Sequence, residues 1–295
     1  MAASGKKRVL VTGCSTGSVG AGLAREFHSR GFAVIATARS LSRLQDLATL
    51  GIQIEELDVT SSRSIEALRS KVSSLDILFN NAGGLDMKMI ADTSLENWKS
   101  MFDQNFFSVV QVTQAFLPLL VESKGIIVNH TSLTPYFAFP GMGMYGSSKA
   151  ALRQYTDTLR TEMYPFSVRV VELMTGVAGS NIVLKQMPED AAGIIPPGSL
   201  YWPIKDNVQV FTGATVAKSA TDPDTHARNV VSDLLDGGGW LGLGGWLGMY
   251  WGAVWFVERK EKKENTQPEL KQQAVWCLGA MESLGMGCRS IVLFQ

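Results

Sequence analysis

The sequence predicts an α/β chain in which a doubly wound, parallel sheet is covered by helices on both faces. Three observations carry the prediction. Short apolar, β-branched runs at 8–11, 33–36, 53–57, 77–80, 125–129 and 168–173 alternate with helical patterns at roughly 20–30, 42–50, 61–75, 94–120, 144–162 and 222–235. Such alternation produces right-handed crossovers and a sheet buried on both sides. The first apolar run also feeds a glycine-rich turn that opens a helical pattern. Finally, 295 residues that are 45% hydrophobic suffice for a large core, and one α/β domain of about 250 residues is an ordinary size.

Taken in chain order, Arg8-Val9-Leu10-Val11 is the first strand. It leads into Thr12-Gly13-Cys14-Ser15-Thr16-Gly17-Ser18-Val19-Gly20 and then the helical Ala21-Gly22-Leu23-Ala24-Arg25-Glu26-Phe27. Strand, glycine turn and helix N-terminus together form a dinucleotide-binding entry. The glycines admit a pyrophosphate close to the backbone, and the helix end supplies free N–H groups and partial positive charge. Gly13, Ser15, Thr16, Gly17 and Val19 are the candidate contacts. The second strand ends in Ala36-Thr37-Ala38-Arg39-Ser40, with an arginine and no acid. An acid there selects the ribose 2′-hydroxyl, whereas an arginine accommodates a 2′-phosphate. Arg39 therefore predicts NADP(H), the alternative being a solvated loop residue. Asn80-Asn81-Ala82-Gly83 follows the fourth strand, and Gly83 permits close backbone approach.

The fifth strand runs toward Ser132, thirteen residues before Tyr145. Tyr145 and Lys149 are four apart and share a helix face. A lysine ammonium beside a phenol is expected to lower the tyrosine pKa from about 10. The phenol can then exchange a proton with a carbinol oxygen, which Ser132 would also hold. Taken alone, Tyr-x-x-x-Lys also fits an exposed helix carrying a stray pair.

In combination, the loop at 12–20, Asp58-Val59, Asn80-Asn81-Ala82-Gly83, Asn105, Ser132, Tyr145 and Lys149 resemble the short-chain dehydrogenase/reductase family, from about Lys7 to about Leu235. The resemblance implies a Rossmann-type fold and a tetrad in which Asn105 organises a water-linked proton path from Lys149. It implies that Asp58 contacts the adenine edge, that Asn81, Ala82 and Gly83 lie beneath the nicotinamide half, and that Tyr145, Lys149, Gly176 and Val177 also touch the cofactor. Two departures stand out: the glycine loop is one residue longer, with Ser18 in place of glycine, and the usual Pro-Gly is Thr175-Gly176.

Substrate choice falls to Leu133–Met144, apolar and aromatic, and to the long segment 176–221, with Met187, Ile194, Ile195, Leu200, Tyr201 and Trp202. A segment this long is expected to be a lid without regular structure. Its composition suits a small hydrophobic carbonyl substrate, with a homo-oligomer interface as the competing account. Gly-Ser-Leu-Tyr-Trp-Pro-Ile at 198–204 and the run from Asp222 to Arg228 resemble a fungal branch of the family. That branch holds NADPH-dependent 1-acyldihydroxyacetone-phosphate reductases and secondary-metabolite ketoreductases.

Formal charge is zero, which gives no electrostatic case for nucleic acid. Cys14, Cys277 and Cys288 are too scattered for a disulfide framework or zinc site, and a reducing compartment fits. His28, His130 and His226 are dispersed, so no metal is expected; His130 reads as strand-end packing. Residues 1–236 are expected to form the domain, 237–257 a glycine- and tryptophan-rich apolar segment, and 258–295 a charged, then irregular tail. The apolar segment is read three ways: last strand with membrane-surface association, soluble packing, or a span. The expected location is cytoplasmic, with association to the endoplasmic reticulum or lipid droplets implied by the branch. NADPH-dependent ketone reduction is the favoured activity. Alcohol oxidation and a catalytically idle nucleotide-binding protein are the alternatives.

Overall fold

The computed structural model describes residues 5–236, apart from 209, 211 and 215–219, together with 291–293. Its strands are β1 (Arg8–Val11), β2 (Ala33–Ala38), β3 (Gln53–Glu56), β4 (Ile77–Asn80), β5 (Ile126–His130), β6 (Arg169–Met174) and β7 (Ile291–Leu293). The helices are α1 (Val19–Ser29), α2 (Gln45–Ala48), α3 (Ser62–Lys71), α4 (Leu95–Phe102), α5 (Ser108–Ser123), α6 (Gly143–Met163), α7 (Asn181–Gln186) and α8 (Pro223–Asp236).

The sheet order is β3-β2-β1-β4-β5-β6-β7. The first six strands are parallel, while β7 is antiparallel to β6. The doubly wound parallel sheet is the one expected, and β7 adds an antiparallel edge to it. The last strand expected within 237–257, like the rest of the tail up to 290, lies outside the described residues.

Alternation along each strand divides the core. Val9, Val11 and Phe79 face one side, where Leu23 and Phe27 of α1 and Val230, Val231 and Leu234 of α8 cover them. Leu10, Leu78 and Ile127 face the other side, against Val112, Phe116 and Leu120 of α5 and Leu159 and Met163 of α6. A buried polar ladder pins α5 and α6 to the sheet. Asn80 Nδ2 donates to Thr113 Oγ1 (3.0 Å) and Asn129 Oδ1 (2.9 Å), and Asn129 Nδ2 donates to Thr156 Oγ1 (3.0 Å). Asn80 thus points into the core, while the chain from Asn81 onward turns to the glycine loop.

Three elements differ from expectation. β2 runs on to Ala38 because residues 35–38 pair with β3. The helix expected at 42–50 divides into a 3₁₀ turn (Leu41–Arg43) and the single turn of α2, with Leu44 out of helical geometry between them. The lid is not structureless: α7 begins on Ser180, whose side chain accepts from Val183 N, and 3₁₀ turns occupy Ala191–Gly193 and Trp202–Asn207. Among the described residues, one continuous helix, Leu95–Ser123, is long and apolar enough to cross a membrane by length and composition. Here its apolar face packs on the sheet, and a π-helical stretch (Asp103–Phe107) joins α4 to α5.

Candidate active site

The glycine loop is held from three sides. Gly13 and Gly17 have φ of 74° and 73°, a conformation that disfavours side chains. A Cβ on Gly13 would lie 2.8 Å from Ala82 Cα, and one on Gly20 would collide with the Gly13 carbonyl. Ser18, the apparent departure, caps α1. Its hydroxyl accepts from Ala21 N (3.1 Å) and donates to Gly13 O (3.0 Å), a cap worth about 1 kcal/mol. Ser15 O accepts from Ser18 N, and Val19 is the buried first residue of α1. Thr16 N and Oγ1 both donate to Arg43 O, at 2.9 and 3.0 Å. Cys14 is buried beneath the loop, which pushes its thiol up to about 12.

Thr12 and Asn81 fasten the loop to the end of β4. Thr12 Oγ1 accepts from Asn81 N (3.0 Å) and Ala82 N (2.9 Å), and Asn81 Nδ2 donates to Thr12 O (2.8 Å) and Gly13 O (3.2 Å). Arg39 is exposed just past β2. The Asp58 carboxyl lies below its ordinary range, chiefly through the Thr60 side chain and backbone N–H, with Arg39 contributing. Its Oδ1 is engaged by Thr60 N (3.0 Å) and Thr60 Oγ1 (2.7 Å). These residues fit a phosphorylated dinucleotide: glycines bare the backbone at a helix N-terminus, and an exposed guanidinium stands at the neighbouring strand end.

The candidate catalytic corner lies where β5, α5 and α6 meet. Ser132 is buried and hydrogen-bonds the Tyr145 side chain. Lys149 is buried one turn further along α6, its Nζ donating to His130 O (2.8 Å) and lying 5.9 Å from the Tyr145 ring centre. Burial pulls the lysine down to about 8. Burial also raises the Tyr145 phenol, opposed only by the Ser132 bond. The expected lowering of the tyrosine by the lysine is therefore not what the structure has. Both groups share a dry corner, where burial disfavours each charged form.

Asn105 sits inside the π-helical stretch and is completely buried. Its Oδ1 accepts from Gly84 N (2.7 Å), and its Nδ2 donates to Gly84 O and Ser148 Oγ, both at 3.0 Å. A Cβ on Gly83 would lie 3.0 Å from Asn105 Oδ1 and 3.6 Å from Lys149 Nζ, so this strand end runs between the two side chains. Thr175 O accepts from Leu133 N (3.1 Å), tying the end of β6 to the Ser132 loop, and Thr175 Oγ1 is buried without a partner. Gly176 rests near Leu133, and Val177 O accepts from Thr221 N (3.2 Å).

Facing this corner is an apolar cluster of Leu85, Met87, Met89, Met142, Ile194 and Ile195, with Tyr145, Met187, Tyr201 and Trp202 packed against it. The segment expected to form a lid is tied near its start and at its middle. Ser199 Oγ donates to Asp92 Oδ2 (2.6 Å), while Asn181 N donates to Gly17 O (3.2 Å) and Asn181 Nδ2 to Thr16 O (3.1 Å). The sequence-based site omits His130, Ser148 and Asn181. Ser148 lies between Tyr145 and Lys149, a signal that was available; Asn181 meets a loop 165 positions away, which no local pattern announces.

The family model described as short chain dehydrogenase matches residues 7–191. A short-chain dehydrogenase/reductase of Pestalotiopsis microspora is 40% identical over 232 residues, covering 78% of this chain and 81% of the relative. An NADPH-dependent 1-acyldihydroxyacetone phosphate reductase of Schizosaccharomyces pombe is 39% identical over 205 residues, 68% of this chain and 69% of the relative. Among solved structures, the closed form of a serine dehydrogenase complexed with NADP+ aligns with a TM-score of 0.58 and 32% identity, covering 72% of this chain and 86% of that one. With the sheet order and the Ser132, Tyr145 and Lys149 arrangement beside these likenesses, the chain belongs to the short-chain dehydrogenase family and is an oxidoreductase.

Proposed function

We propose that this chain is an NADPH-dependent reductase that converts a ketone on a hydrophobic substrate into a secondary alcohol. The observation that carries this is the Tyr145 phenol, bonded to Ser132 beside buried Lys149 and packed against a methionine-rich apolar cluster. When bound, NADPH supplies the hydride. The Ser132 hydroxyl holds the carbonyl oxygen, and Tyr145 delivers the proton to that oxygen as it gains negative charge. A phenol raised by burial keeps its proton at neutral pH, which suits the acid role in reduction. Lys149, fixed on His130 O, places its ammonium where it stabilises the phenolate left behind. Asn105 keeps the chain at 83–84 in place beside that lysine.

NADPH as the reductant is supported by Arg39 at the end of β2 and by the cofactors named for the fission-yeast reductase and the serine dehydrogenase complex. The substrate class is supported by Met87, Met89, Met142 and Met187, since flexible thioethers adapt to varied apolar shapes. The test is to assay purified protein with NADPH against 1-acyldihydroxyacetone phosphate and a panel of polyketide and terpenoid ketones. NADPH consumption matched by alcohol formation with at least one hydrophobic ketone is expected. Turnover confined to small polar carbonyls would overturn the proposed substrate class.

A further inference from the structure

We infer that the imidazole of His130 is a positioning residue for the nucleotide: as its Nδ1–H tautomer it holds the Asn81 side chain, and through it the glycine loop, in the binding arrangement. This rests on the proposed nucleotide site. Asn81 Nδ2 faces two carbonyl oxygens, Thr12 O (2.8 Å) and Gly13 O (3.2 Å). Only the amide nitrogen can face two acceptors, so the orientation of the carboxamide is forced. Asn81 Oδ1 then points at His130 Nδ1, 3.0 Å away. An amide oxygen only accepts, so Nδ1 must carry the proton.

The surroundings favour the neutral ring. Its own backbone carbonyl accepts from Lys149 Nζ, and His226 of α8 stacks on it with ring centres 6.4 Å apart at 22°. Burial, the lysine and His226 all push the His130 imidazolium well below its ordinary range, and burial takes His226 down to about 4. A neutral donor is what the Asn81 oxygen requires. One residue thereby joins the two halves of the site: its main chain anchors the lysine, and its side chain clamps the loop that receives the pyrophosphate.

Three substitutions and one spectrum test this. His130→Leu removes the donor and leaves Asn81 Oδ1 without a partner, whereas His130→Asn keeps an N–H near the position of Nδ1. Nucleotide affinity, measured by titration with NADPH and with NADH, is expected to fall about tenfold in the leucine variant. The factor should be similar for both nucleotides, because the pyrophosphate is common to them, and the asparagine variant should recover most of it. Arg39→Ala, acting on the 2′-phosphate alone, provides the contrast. Independently, ¹⁵N-histidine spectra of the nucleotide-free wild type, assigned by comparison with His130→Asn, should show His130 neutral and protonated on Nδ1. An Nε2–H tautomer, or equal loss in the leucine and asparagine variants, would overturn the inference. The tautomer decides the matter even where the leucine variant does not fold. Wild-type protein that binds neither nucleotide would defeat the proposed function instead, and the spectrum would still be read separately.

Discussion

The two ends of the crevice are built differently. At the nucleotide end nearly every restraint is a short polar bond to main chain: Thr12 to 81 and 82, Asn81 to 12 and 13, Ser18 to 13 and 21, Thr16 to 43. At the proposed substrate end the contacts are methionine, isoleucine and aromatic packing, with Ser199–Asp92 as a polar tie. Hydrogen bonds are directional and fix one geometry, which suits a ligand whose pyrophosphate never varies. Apolar contact is non-directional and methionine is compliant, which suits a ligand whose shape does. Constancy and tolerance are thus divided between the ends, and Tyr145 stands at the join.

The sharpest way to break that division is at the join itself. Tyr145→Phe keeps the ring among its apolar neighbours and removes only the proton donor. Turnover should fall by about 10²–10⁴-fold, while NADPH affinity measured by fluorescence titration stays near wild type. Near-normal turnover would remove Tyr145 from the chemistry. At the nucleotide end, Arg39→Ala should weaken NADPH by about 10- to 150-fold, a charge-assisted bond being worth roughly 1.5–3 kcal/mol. NADH should be nearly unaffected, and an equal loss for both would mean that Arg39 does not read the 2′-phosphate.

A pH profile probes the join more gently. Burial lowers Lys149 to about 8, so its charge is present below that pH and is lost as pH rises through it. The Tyr145 phenol, raised by burial, keeps its proton across the same window. Reduction at saturating NADPH should therefore be flat toward neutrality and fall by about tenfold between pH 7 and pH 9. A rate that climbs over this interval would show that the charged lysine is not needed. The smallest effect belongs to the substrate end. Ser199→Ala removes one tie of the lid and should raise the ketone KM by about 2- to 12-fold, with NADPH affinity unchanged by titration. A matching change in NADPH affinity would mean that the two ends are not separately built.

What the sequence made legible follows the same line. The glycine loop, Ser132 and the Tyr145/Lys149 pair were readable because each is a local pattern whose chemistry depends on neighbours within one turn or one strand end. The strands were readable from their apolar runs, except where Thr37 and Ala38 look like loop and become strand by pairing with Glu55 and Glu56 of β3. Contacts across long sequence separations were not readable. His130 and Asn81 are 49 positions apart, and Asn181 meets Thr16 over 165. The tyrosine's acidity was misjudged for a related reason. Spacing puts Lys149 beside Tyr145 but does not tell how dry their common surroundings are.

The π-helical stretch at Asp103–Phe107 has a consequence for how this helix tolerates length changes. A π turn accommodates one residue more than an α turn, often at a functional position. Removing a single residue from 103–107 would let the helix close into uninterrupted α geometry. Because the wider turn has already absorbed that residue, the segments on either side would keep nearly the same faces toward their neighbours. The loss would fall on the wide turn itself, where Asn105 holds Gly84 and Ser148. The extra residue is thus taken up as local width, which turns one side chain inward without re-aiming the rod on either side.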